Sequence, residues 1–252
     1  MQLSGRALRT GLLVCTGPID GSGSSLLANN PRSPSWEKDR HVKLVDIIRA
    51  STGGPGDVRP AMIPLSGDAS GVFVDRAMAG HANPALAAFL YATAAEYGLG
   101  WTTGEDQLYL LSVGVGFRRK ERAGREIVRK AKLDQALCAL NVLIHETSMT
   151  AQHTLQSLSR PKVPFVISSE VNGLERTLLG PAPLLQYERI DPSLEPEALR
   201  EELDVTLPKA QQRDLHRTDI GADKHIDALL KVGRAAGEHL IVDLFPRAFD
   251  GP

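Results

Sequence analysis

The chain has 252 residues, 42% of them hydrophobic, with 29 Lys and Arg set against 30 Asp and Glu. That length and apolar content suit one large domain or two small ones with a real core. The near-zero net charge and scarce aromatics give no case for a nucleic-acid partner, and no run of about 18 apolar residues is present to form a membrane-spanning helix.

Two cysteines, Cys15 and Cys138, stand far apart with no Cys-x-x-Cys spacing, and both read as buried, reduced thiols. That usage fits a cytoplasmic protein, with peripheral contact at membranes as a further option. Arg6 and Arg9 precede Leu12-Leu13-Val14-Cys15, but this apolar core is too short for a secretory signal.

Residues 10–16 read as a strand. Residues 17–40 are rich in turn formers, and the Gly-Ser-Gly-Ser-Ser piece at 21–25 lacks the Lys and the following helix of a phosphate-binding loop. Residues 42–51 place apolar side chains at 44, 45, 47 and 48, a short amphipathic helix that Gly53-Gly54-Pro55-Gly56 ends. An extended piece at 60–65 and a strand at 71–75 follow. Asn83-Pro84 is a helix-start signal, because Asn can cap free amides and Pro fits the first turn. The helix is expected over 84–97, followed by a loop and an apolar strand at 107–113 that reads as buried on both faces. Strand, helix and strand in this order predict a βαβ unit with parallel strands.

Residues 119–159 hold no Pro, and Leu133, Leu137, Leu140, Ile144 and Thr147 recur at helical spacing, so one long helix or two in series are expected. Residues 163–171 and 184–190 are strand candidates, and 195–204 reads as helix. A last helix is expected over about 220–244, with Asp219 as its cap and Ile226, Leu229, Leu230 and Leu240 on one face. With no repeat and no linker, a single domain is the simplest organisation.

The chemistry available to such a chain is narrow. His145-Glu146 opens like a zinc-protease His-Glu-x-x-His, but Met149 stands at the fifth position. His145 and His153 share a helix face yet lie about 12 Å apart by the helix rise, too far for one metal. No serine sits in a Gly-x-Ser-x-Gly elbow. The remaining candidate is Asp75, where a strand gives way to a loop. By spacing alone it has no visible partner and reads first as a turn or capping residue.

Gly71-Val-Phe-Val-Asp75, Asn83-Pro-Ala-Leu86 and the run Arg40-His-Val-Lys-Leu-Val-Asp-Ile-Ile-Arg-Ala-Ser-Thr52 resemble segments of bacterial patatin-like phospholipases (lipid acyl hydrolases). Leu27-Ala-Asn-Asn-Pro31, Trp36, Gly98-Leu-Gly-Trp101, Thr103-Gly-Glu-Asp106, Leu111-Ser-Val-Gly114 and Pro183-Leu-Leu-Gln-Tyr-Glu-Arg-Ile-Asp191 continue the resemblance. It covers about residues 8–200, with 201–252 as a C-terminal helical extension, so the whole chain reads as one partial patatin-like domain. The fold it implies is α/β, three layers with a largely parallel central sheet. The activity it implies is ester hydrolysis on acyl lipids or phospholipids by a Ser–Asp dyad, with no metal and no cofactor. Asp75 maps onto the catalytic Asp. The nucleophile elbow and the oxyanion glycines of the family precede the strand at 10–16, so the chain alone is expected to be inactive, as a truncated product or as one part of a two-chain enzyme. A non-catalytic lipid-binding or interaction protein is the alternative. Arg76 and Ala77 stand where the family has Gly followed by Gly or Ala. Arg76 removes backbone freedom beside Asp75, and a guanidinium near the carboxylate would lower its pKa.

Overall fold

The structure, a computed structural model, describes residues 2–5, 8–21, 25–52, 59–65, 70–75, 80–117, 128, 131–167, 171–215 and 223–240. The expectations for Ser22 to Ser24, Arg76, Ala77 and Asp219 lie outside these residues.

The fold is mixed α/β. Its strands are β1 (Leu13–Cys15), β2 (Gly17–Pro18), β3 (Leu26–Ala28), β4 (Ala61–Pro64), β5 (Ser70–Val74), β6 (Tyr109–Val113) and β7 (Gln186–Ile190). Its helices are α1 (Trp36–Asp39), α2 (Leu44–Thr52), α3 (Ala85–Thr93), α4 (Lys132–Ser157), α5 (Pro196–Leu203), α6 (Lys209–Asp214) and α7 (Asp223–Leu240).

The described strands do not form the largely parallel central sheet expected from the sequence. They form three small sheets: β1–β3 antiparallel, β2–β5–β4 antiparallel, and β6–β7 parallel. β5 and β6 therefore flank α3 without sharing a sheet. A short connection brings β4 beside β5, and nearby segments pair antiparallel with little loop-closure cost. The parallel pair instead joins β6 to β7 across the long connection that contains α4.

Pairing also explains the burial patterns. β4 and β5 alternate in and out, with Ala61, Ile63, Gly71 and Phe73 buried and Met62 exposed. One face meets the core and the other does not, as antiparallel sheets allow. β6 is not buried on both faces either, since Val113 is exposed.

Three apolar clusters hold the chain. The first packs Leu3, Leu27, Ile47, Ala50, Ile63 and Phe73, so α2 lies against β4 and β5. Within it Ser51 Oγ donates to the Cys15 carbonyl at 2.9 Å, tying α2 to β1. The second joins Ala85 and Phe89 of α3, Leu155 of α4, and Leu185 and Tyr187 at β7. The third closes α5, α6 and α7 on one another through Leu199, Leu203, Leu215, Ala228, Val232 and Ala236.

The third cluster corrects the face expected for the last helix. Ala228, Val232 and Ala236 are buried, while Ile226, Leu229 and Leu230 are exposed. Small residues let α7 approach its neighbours closely. The strand expected over 163–171 is not formed by its described residues. The Phe165 amide donates to Gln156 Oε1 and its carbonyl accepts from Gln156 Nε2, so a side chain supplies the partners that a strand would have.

Candidate functional site

Asp75 follows β5 directly and is half-buried. The adjoining strand is β2, with Gly17 opposite Val74. Gly17 has to be small: a Cβ there would lie 2.9 Å from the Val74 carbonyl oxygen and 3.7 Å from that of Asp75. Thr16, fully buried, joins β1 to β2 at this end. Asp75 thus follows the C-terminal end of β5, opposite the N-terminal end of the antiparallel β2.

Eight residues on, Asn83 marks the entry to α3. Its Oδ1 accepts the Ala85 amide at 3.2 Å, but the N-cap is Pro84, without a side-chain cap bond, and the helix starts at Ala85, so Asn83 stands one residue before the cap position expected for it. Asn83 does more than hold that amide. Its Oδ1 also accepts from Ser112 Oγ at 3.2 Å, and its Nδ2 donates to Tyr187 Oη at 3.4 Å. Ser112 Oγ in turn accepts from Arg189 Nη1 at 2.6 Å. Tyr187 Oη donates to Gln152 Oε1 on α4. Burial pushes the Tyr187 phenol up, against the lowering effect of Asn83, Arg189 and Ser112, so at neutral pH it remains a donor.

The chain of polar contacts ends in an ion pair. Arg189 Nη2 meets Asp191 Oδ2 at 2.6 Å, and both side chains are largely buried. Asp191 Oδ1 accepts the Gly116 amide at 2.9 Å. Gly114 is obligatory here, because a Cβ would fall 2.1 Å from Asp191 Oδ1. Asp191 therefore seals the loop after β6 onto the end of β7. Ser112, Tyr187, Arg189 and Asp191 were not singled out by sequence reasoning as site residues. Their partners are up to about a hundred positions away, and no local spacing announces them.

Among the described residues, three serines on the elements around Asp75 are otherwise engaged or placed. Ser51 holds Cys15, Ser112 holds Asn83, and Ser70 begins β5 at the surface. His145 is exposed and His153 half-buried on α4, and among the described residues no group of three or more His, Cys, Asp or Glu could hold a metal ion. Cys15 is buried and Cys138 half-buried, both as thiols.

An apolar cavity of about 530 Å³ lies at the other end of the β1–β2 run. Its walls include Leu12 and Leu13, Phe89 and Tyr91 of α3, Trp101, and Leu110 of β6. Asp75 does not line it. Tyr109 also faces the cavity, its phenol pushed up by burial and by the nearby charge of Glu188. No described helix is long and apolar enough to cross a membrane.

Comparison of the chain with protein-family models, with curated proteins and with solved structures gives no match.

Proposed function

We propose that the chain carries the aspartate half of a patatin-like lipid acyl hydrolase, with Asp75 as the base that orients and deprotonates a serine on an acyl-lipid ester. The observation that carries this reading is the position of Asp75: half-buried at the end of β5, beside a glycine strand, with the following helix start held by Asn83. In that role a carboxylate needs a fixed backbone and a hydroxyl brought within hydrogen-bond reach. The serine comes from outside these 252 residues, since none of them forms a Gly-x-Ser-x-Gly elbow. A three-layer domain with a largely parallel sheet belongs to the same proposal, completed by strands beyond those described.

The test is hydrolysis of p-nitrophenyl acyl esters. The 252-residue chain is expected to give no turnover above buffer. Addition of a polypeptide bearing the elbow and oxyanion glycines, sought in the reading frame before the Met1 codon, is expected to produce turnover that Asp75→Asn abolishes. Turnover unaffected by Asp75→Asn would remove the proposal. A non-catalytic lipid-binding role is the second reading, favoured by the absence of the elbow from the chain. It predicts that no such polypeptide restores turnover.

A further inference from the structure

We infer that the cavity beside α3 binds a long-chain carboxylate, with the hydrocarbon chain inside and the carboxylate on Arg32 at the opening. The cavity measures about 530 Å³, within the range of small-molecule sites. Its walls include Leu12, Leu99, Leu108 and Phe89. Ala88 and Ala92, one helical turn apart on α3, also line it and are small enough to leave the space open. At about 30 Å³ for a water-sized unit the space takes roughly seventeen, and a methylene group is close to that size, so a chain of about twelve carbons fits with room to bend.

The polar side chains of the wall narrow the ligand further. Asn29 Oδ1 accepts the Leu12 amide, and its Nδ2 donates to the Thr10 carbonyl. Asn30 Nδ2 donates to Tyr91 Oη and to the Tyr97 carbonyl, and its Oδ1 accepts the Arg32 amide. Both asparagines are therefore engaged within the fold. Arg32 differs. It is exposed, no Asp or Glu stands in the wall, and among the described residues no carboxylate pairs with it. Gly98 holds its stem in place, since a Cβ at Gly98 would lie 2.7 Å from Arg32 Cβ. An apolar interior with a single cation at its rim suits an apolar body with one anionic end. A sugar or a nucleotide would bury hydroxyls or phosphates that find no partner there. A flat aromatic acid would need an open ring face, and Tyr91 already stacks on Tyr97 with centroids 4.5 Å apart. Asp75 does not line the cavity, so the ligand is held and not cleaved, and the inference stands apart from the hydrolase reading.

Trp101, which lines the cavity and is 55% exposed, reports binding. Trp36→Phe leaves Trp101 as the sole indole of the chain, and its emission is expected to shift on titration with dodecanoate below the micellar concentration. Across octanoate, decanoate and dodecanoate the affinity should rise about fourfold per methylene. Arg32→Gln should weaken decanoate about twofold to fivefold and leave decanol unchanged. Ala88→Leu with Ala92→Leu fills the space and should weaken every chain length roughly tenfold or more. No shift with dodecanoate, no dependence on chain length, or an Arg32→Gln effect on decanol equal to that on decanoate would each overturn the inference. So would parent-like binding in the filled variant, or naphthoate binding more tightly than dodecanoate. If the filled variant melts below the parent, the chain-length series and the Arg32→Gln comparison decide.

Discussion

The two halves of α4 share one apolar stripe and differ in everything around it. In the C-terminal half, Ala151, Gln152, Leu155 and Gln156 are buried. Leu155 meets Leu185 and Tyr187, and Gln156 fixes the backbone of Phe165 and Glu175. In the N-terminal half the same spacing presents Leu133 and Leu137 to the surface. Periodicity therefore specifies a helix and a face. It does not specify whether that face becomes core or contact surface, which depends on what the rest of the chain brings beside it.

The comparison can be broken at its strongest point. Leu155→Ala removes a fully buried side chain, and chemical denaturation should show a loss of about 2–5 kcal/mol. A loss close to zero would mean that the buried half is not core. Next is the polar layer. Tyr187→Phe removes the donor to Gln152 and the acceptor for Asn83, leaving buried amide groups short of partners, so urea melts should show about 1–3 kcal/mol of destabilisation.

A smaller effect follows from His153, half-buried within the C-terminal half of α4. Burial lowers its pKa, against a weaker raising effect of Glu146. The unfolded chain then binds the proton more readily than the folded one, so this contribution to stability is complete above the unfolded-state pKa of about 6.5. It is lost as pH falls from there toward the lower folded-state value. Melting temperatures from neutral to mildly acidic pH should fall less steeply in His153→Gln than in the parent. The smallest effect sharpens the contrast: Leu137→Ala, on the exposed half, should change stability by no more than about 0.5 kcal/mol.

Much of the local structure was legible. The helix at Leu44–Thr52, the strand at Ser70–Val74 and the helix start just after Asn83-Pro84 all follow from neighbours within a few residues. The strand at Gln186–Ile190 and the helix at Pro196–Leu203 were also signalled locally. What failed were statements about partners. β5 pairs with β4 and β2, not with β6, and Phe165 bonds to a glutamine side chain instead of to a strand. The candidate site divides the same way. Asp75 and Asn83 stand out in the sequence, whereas the contacts from Asn83 to Ser112 and Tyr187, and from Ser112 to Arg189, join positions that no local spacing relates.

The sequence by itself determined where most of the helices and strands lie, though not their bounds, which carboxylate closes β5, and that α4 would carry one apolar stripe. Backbone capping, glycine and proline geometry and the 3.6-residue period act over a few residues, so they can be read in order. Only the tertiary structure decided which strands pair, which end of that stripe is covered, and that Gly114 leaves room for Asp191. Those outcomes depend on close packing and on buried polar groups finding distant partners, and neither condition is written into any single stretch of the chain.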